Sequence, residues 1–344
     1  MGTLTLTSLI PTIYEAFDVV SRERVGFIPA VSLDASAARA AVNESITSPV
    51  VGAMAAEDLT PAAYAADTPN QTIGNVTMTI SKARSVPFGI TGEETVGLRN
   101  AGTLGSVNRD RIAQALRTLT NEIESDLAAL HIHASRAYGT ATGTPFGTAA
   151  DLSDVAQPLK ILDDNGAPTG DLHMVLGNAS MARLRGKQNT LFQMNTAGTA
   201  DLLRRGVVGD LEGFQMHQSG QVKTLVTVGT AASATTDTAG YAIGATSITL
   251  AAVGTGTILA GDIITFAGDT NEYVVETGCG AVSGATIVLA APGLMQALPT
   301  SAKDITMIAA TTRNMFFARN ALHLVARAPA MPDGGDDADD VMLV

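Results

Sequence analysis

Residues 108–138 read NRDRIAQALRTLTNEIESDLAALHIHASRAY, and the fold turns on this stretch. Ile112, Leu116, Leu119, Ile123, Leu127, Leu130 and Ala134 recur at steps of three and four, the spacing that lines one side of an α-helix. The opposite face is polar. Asn108 stands where an N-cap belongs and Gly139 where a helix stops, so the spacing predicts about thirty helical residues, a rod of about 45 Å. That is longer than the usual three or four turns. A coiled coil would keep a strict 3.5-residue repeat, which this stripe does not, and a self-contained bundle would need a second helix of similar length, which the chain lacks. The rest of the chain is therefore read as arranged around one long helix.

Upstream, Val76, Met78 and Ile80 alternate with Thr77, Thr79 and Ser81, the period of a strand with one buried face, and the signal weakens at Pro87. Residues 34–71 are rich in Ala and punctuated by Pro49, Pro61 and Pro69, with too little periodicity to bury much surface on their own. A structureless stretch of that length is unusual in a compact domain and is read as an arm ordered by a partner, the alternative being a linker. Further back, Pro11, Ile13, Phe17 and Val19 or Val20 predict a short amphipathic helix that ends by Gly26 and Pro29.

Downstream, GTATGTPFGTAADLS (139–153) lacks the terminal Lys-Ser/Thr of a phosphate loop. Residues 151–222 alternate in an α/β manner: a helix over Val155–Leu162, a buried strand over His173–Leu176, a helix capped by Asn178 and running to about Arg185, then a short glycine-edged strand in LEGFQMHQS. Residues 223–304 change character. Basic residues nearly vanish, and strand-like runs at Leu225–Val228, Ser247–Ala251, Asp262–Phe266, Glu272–Glu276 and Ala285–Leu289 alternate with turn signals, which predicts a small all-β barrel or sandwich. MFFARNALHLVARAP (315–329) reads as a turn between apolar strands. A β-domain inserted into an α/β domain accounts for the order.

The chain has 344 residues, 46% hydrophobic, enough for two or three cores. Net charge is −12, and the five lysines (Lys82, Lys160, Lys187, Lys223, Lys303) form no cluster, which argues against sequence-specific nucleic-acid binding. An acidic wall can still enclose nucleic acid without holding it. The single cysteine, Cys279, allows no internal disulfide. No secretory signal, membrane span or complete myristoylation pattern is expected, so the NxS/T triplets at Asn43, Asn70, Asn75 and Asn178 are read as chance.

Candidate chemistry is sparse. His131 and His133, two apart on a helix, point to nearly opposite sides and cannot share one ion; His173, His217 and His323 stand alone in sequence. Glu122, Glu124 and Asp126 spread around the helix and read as a solvated face. Cys279 reads as a quiet thiol, and Asp336, Asp337, Asp339 and Asp340 match no calcium loop. No catalytic, cofactor or metal residue is predicted, and no enzyme.

Taken in order, LIPTIYEAFDVVSRERVGFIPAV (9–31), GDIITFAGDTNEYVVETG (261–278) and TRNMFFARNALHLVARAPAMPDG (312–334) resemble the major capsid proteins of tailed phages, in particular the coat proteins with a β-domain inserted in the axial domain. The resemblance implies an α+β capsid fold: N-terminal arm 1–48, extended loop 49–72 over a neighbouring subunit, peripheral domain 73–150 with spine helix 108–138, axial domain 151–222 and 305–344 with the final strands free to return to the periphery, and inserted domain 223–304. It further implies self-assembly as hexamers and pentamers into an icosahedral shell around double-stranded DNA, with a scaffolding protein, a portal, room for a decoration protein, and no membrane. Assembly in the bacterial host cytoplasm and expansion of a procapsid by domain rotation belong to the same picture. The alternatives are a cellular compartment shell of the same fold, or a soluble binding protein or enzyme with a site in the β-domain.

Overall fold

A computed structural model describes residues 25–34, 41–51, 73–87, 89–102, 104–140, 145–187, 210–224 and 226–327. The helix expected over Pro11–Val20, residues 52–72 of the loop and the acidic tail lie outside them. The chain divides into two bodies, residues 33–85 with 324–344 and residues 1–32 with 86–323.

In the smaller body the strands are β1 (Ser32–Asp34), β2 (Ser45–Val51) and β3 (Ile73–Thr79). β2 and β3 form an antiparallel ribbon of seven facing pairs, Ser45 opposite Thr79 through Val51 opposite Ile73. Among the described residues the ribbon has no third strand. Hence the apolar face read from Val76, Met78 and Ile80 is not buried within this body: Val76 is 53% and Ile73 59% exposed, and Met78 and Ile80 are only half-covered. β1 pairs with the final strand, β14 (His323–Val325), and Arg327 donates to Asp34 Oδ2 at 2.6 Å.

The larger body opens with α1 (Gly92–Asn100), started by a capping box in which Thr91 Oγ1 accepts from the Glu94 N–H and Glu94 accepts from the Thr91 N–H. The long helix, α2, runs Leu104–Ala129 rather than 108–138. It starts a turn earlier, at Leu104, which places Asn108 inside the helix and not at its cap. It ends well before Gly139. The chain tightens into a 3-10 turn over Leu130–His133, and Ala134 is extended, because β4 (Arg136–Ala137) pairs with Tyr273 and Glu272. Strand pairing overrides the helical repeat at Leu130 and Ala134. Along the stripe Leu127 is buried, Ile112, Leu116, Leu119 and Ile123 are half-buried, and Ala134 is exposed.

Next come α3 (Ser153–Asp164), β5 (Leu172–Leu176), α4 (Asn178–Lys187), β6 (Asp210–Leu211) and β7 (Phe214–Gln218). The predicted helices and buried strand are present within two residues at each end. Asn178 does not cap α4: the Met181 N–H bonds Gly177 O, which puts Asn178 in the first turn, where its Oδ1 accepts from Gln218. β6 and β7 are joined through Glu212 and Gly213, both at positive φ (49° and 86°), as a type I′ hairpin requires. β5 lies parallel to β7, and with β13 (Met315–Ala318) the sheet has the order β13-β5-β7-β6. Its core joins Phe146, Val155, Met174, Leu176, Leu184 and Phe214.

The β-rich part contains β8 (Ser247–Thr249), β9 (Ile263–Phe266), β10 (Glu272–Thr277), β11 (Thr286–Leu289) and β12 (Ile305–Met307) in the order β12-β9-β10-β11-β8, with β4 joining at β10. Four of the five predicted runs are strands. The fifth, Leu225–Val228, is not a strand over its described residues 226–228; its continuation at Gly229 donates to the Asp262 carboxylate instead of to a neighbouring strand. Residues 234–237 bond both outer strands. On one side Ile305 donates to Ala234 O and Thr236 to Lys303 O, and on the other Ala251 donates to Thr235 O and Asp237 to Thr249 O. Ile248, Ile264, Phe266, Tyr273, Ile287 and Leu294 fill the centre. The turn between apolar strands expected in MFFARNALHLV is present as a 3-10 turn at Arg319–Ala321, and the two strands it joins, β13 and β14, lie in different sheets.

Candidate functional site

Among the described residues, no group of three or more His, Cys, Asp or Glu could hold a metal ion, and no helix is long and apolar enough to cross a membrane. Three arrangements carry the chain's unusual chemistry.

The first is an anchor for residues 26–32. Glu124, read from sequence as part of a solvated acidic face, is 2% exposed. Its Oε1 accepts from the N–H groups of Phe27 and Ile28 at 2.8 Å each, and its Oε2 from Gly26 (3.2 Å) and from Ser219 Oγ (2.7 Å). A row of backbone donors from 26–28 is thus met by one carboxylate, with charge-assisted bonds of the strong kind. Glycine is needed at 26 because a Cβ there would press on Ser219 and the Gln218 carbonyl. Beyond it, Arg319 donates to Pro29 O at 3.0 Å and, through Nε, to Asp171 at 2.7 Å. Phe27 and Ala30 are fully buried.

The second is a string of polar side chains running on from Asp171. His173 Nε2 lies 2.9 Å from Asp171 Oδ1, and His173 Nδ1 lies 3.0 Å from His217 Nε2. The ionised carboxylate only accepts, so His173 donates to it from Nε2, and its Nδ1 shares a hydrogen bond with His217 Nε2. The Arg319 hydrogen bond, above all, holds the Asp171 carboxyl below its ordinary range. Burial, then the neighbouring His173 and Arg319, lowers the His217 pKa. Sequence reasoning treated these two histidines as separate; diagonal positions on one face of β5 and β7, His173 opposite Gln215 and His217 opposite Val175, bring them together, and only the strand order could have revealed it.

The third is a cleft of about 870 Å³ among the end of α2, β4, α3, β10 and β13. His131, His133, Arg136, Tyr138, Asp154, Glu272 and Arg313 are the titratable residues on its wall. Burial pushes the Glu272 carboxyl up to about 7, and burial likewise raises Asp262 and lowers Arg313. Arg136, with a side chain only 4% exposed, pairs with Asp164 at 3.2 Å and also meets Asn271.

The remaining residues weighed from sequence fall apart in space. His131 Nδ1 meets Ala128 O at 3.1 Å, while His133 meets Glu276 at 3.2 Å. Cys279 is half-buried against the β core, its backbone bridged to Ile258. His323 is exposed on β14.

No protein-family model matches the chain, and no curated protein matches it. Solved structures of phage capsids do. One, described as Mycobacterium phage Che8, is 16% identical, with 80% of this chain and 85% of that one covered at a TM-score of 0.43. A capsid structure of the cyanophage P-SCSP1u is 12% identical over 89% of this chain and 90% of that one, TM-score 0.39. The mature capsid of bacteriophage PhiM1 is 11% identical over 89% of each chain, TM-score 0.38.

Proposed function

We propose that the chain is a structural, non-enzymatic shell subunit, the major capsid protein of a tailed phage, whose copies assemble as hexamers and pentamers into an icosahedral container. The observation that carries this reading is the β2–β3 ribbon. A two-stranded ribbon is marginal in water by itself, and this one leaves Ile73 and Val76 more than half exposed over seven facing pairs. Such a ribbon reaches full burial only against other molecules, and sister copies are the economical partner. The half-covered apolar stripe of α2 points the same way.

In this reading the extended loop 49–72 lies over a neighbouring subunit, and residues 223–304, whose two outer strands are joined through residues 234–237, are an inserted barrel-like domain. The shell encloses double-stranded DNA without reading its sequence, in keeping with a net charge of −12. Assembly takes place in the host cytoplasm with a scaffolding protein and a portal, a decoration protein binds the outside where one is used, and expansion is a switch between two packed arrangements of one chain.

Electron microscopy and light scattering of the purified chain, alone and with lysate from its native source, test the reading. Closed particles or capsomer rings are expected. A stable monomer under every assembly condition, with the ribbon protected from hydrogen exchange in that monomer, overturns it.

A further inference from the structure

The sheet β13-β5-β7-β6 ends at β13, which among the described residues pairs with β5 alone. The register fixes where its backbone groups point. The Arg319 N–H donates to Asp171 O, so that pair and, in steps of two, Phe317 with His173 and Met315 with Val175 are the ones that exchange hydrogen bonds. The N–H and C=O groups of Phe316 and Ala318 therefore point away from β5, and among the described residues no hydrogen bond takes them up. Ala318 is 5% exposed and Phe316 is half-buried. Backbone polar groups at such depth are nearly always paired, so this edge lacks a partner.

The cleft of about 870 Å³ runs along that edge. Side chains of β13 alternate between two faces: Phe316 and Ala318 pack with Met174 and Phe214, while Phe317 lies against the His173 ring on the other face. A cavity over either face would be lined by every second residue. All four residues of β13 line the cleft, so it lies beside the strand. At about 3.3 Å per residue the edge is about 13 Å long, which suits an added strand of four or five residues. Pro158, Ile161, Leu162, Ile308 and Leu322 give the cleft apolar walls.

We propose that the cleft takes an extended peptide segment of a partner protein, added as a strand to the free edge of β13, with uncharged apolar side chains at alternate positions against these walls. Only extended backbone offers donors and acceptors at the repeat of the Phe316 and Ala318 groups, and pockets beside the strand then select its side chains. Arg136 pairs with Asp164, and Asp262 and Glu272 act on Arg313, so the guanidinium groups of the wall call for no charge on the peptide. A sister copy fits less well. Each described strand of this chain is already paired, β1 with β14, β2 with β3 and the others within the two larger sheets.

The test uses the full chain and two probes: the blocked peptide acetyl-Thr-Val-Thr-Val-Thr-amide, and its fully N-methylated counterpart, which keeps the side chains and loses every donor. Hydrogen exchange is followed at the Phe316 and Ala318 amides. The first probe is expected to slow both saturably, by about tenfold or more, and the second to slow neither. Ala318→Pro removes one edge donor and sets the proline ring in the path of a new strand. The residue has φ −81°, close to the value of about −65° that proline fixes, so the backbone accommodates it. Fluorescence anisotropy of a labelled first probe is expected to show binding about tenfold weaker or more in that variant. Unchanged exchange at millimolar peptide overturns the proposal, as does equal binding by the N-methylated probe or by folded Ala318→Pro. Amides already slow in dilute chain without peptide, or slowed by chain concentration alone, overturn it too, since the edge is then covered by the chain itself or by a sister copy. Should Ala318→Pro fail to fold, the two probes on the parent still decide. None of these results depends on whether the chain forms shells.

Discussion

Glu124 receives four donors from two distant parts of the chain, and no spacing rule in ExExD marks which of the three acids turns inward. The helix period places Glu124 one turn before Ala128, which is also buried, but a carboxylate on an apolar side reads as an error until its donors are known. Replacing it by Gln keeps the size and loses the charge, leaving an amide N–H aimed at backbone N–H groups. Glu124→Gln is expected to cost about 3 kcal/mol, measured as a lower urea midpoint at unchanged slope. At Glu272 the sign runs the other way. Its folded pKa of about 7 lies above the model-peptide value of 4.5, so between those pH values the folded protein keeps a proton the unfolded chain has released, and stability falls as pH rises. Glu272→Gln is expected to remove that slope and to be the more stable protein at pH 8 by up to about 3 kcal/mol, read as the difference between the two urea midpoints in chloride across pH 4.5–8.

Elements with strong local signals were legible. Alternation and turn residues placed β8 to β11 within a residue or two, and β5 announced itself as an unbroken apolar run. The long helix was legible as an element but not in its ends, because its C-terminus is decided by a partner strand 137 residues further on, Arg136 opposite Tyr273. No window of sequence contains that pairing. Turn glycines in the β part carry a comparable hidden constraint. Gly256 has φ +91°, and a Cβ there would fall on the Thr230 carbonyl. Gly256→Ala is expected to destabilise by about 2–4 kcal/mol, well beyond the change at an open glycine such as Gly280, as differential scanning calorimetry of the two variants would measure.

For the whole molecule, residues 34–71 read as unable to cover themselves; of these the structure describes 34 and 41–51, and β2 there pairs with β3, whose Ile73 and Val76 are exposed. Which surface completes it is invisible to a single chain, since the completing atoms belong to other molecules in the proposed shell. Val76→Asp is expected to leave the melting temperature of the unassembled chain within about 1–2 °C, because the residue is 53% exposed, while abolishing particles in electron microscopy and sedimentation. A large loss of monomer stability would instead show that Val76 is already packed within one copy.

Residues 234–237 seal both outer edges of the β-rich part. With Ala251 and Asp237 bonded across one flank and Thr236 and Ile305 across the other, the ring of strands offers no loose rim there on which a stranger's backbone could zip up. In the proposed shell, neighbouring copies of this part stand side by side without adding strands to one another at these flanks.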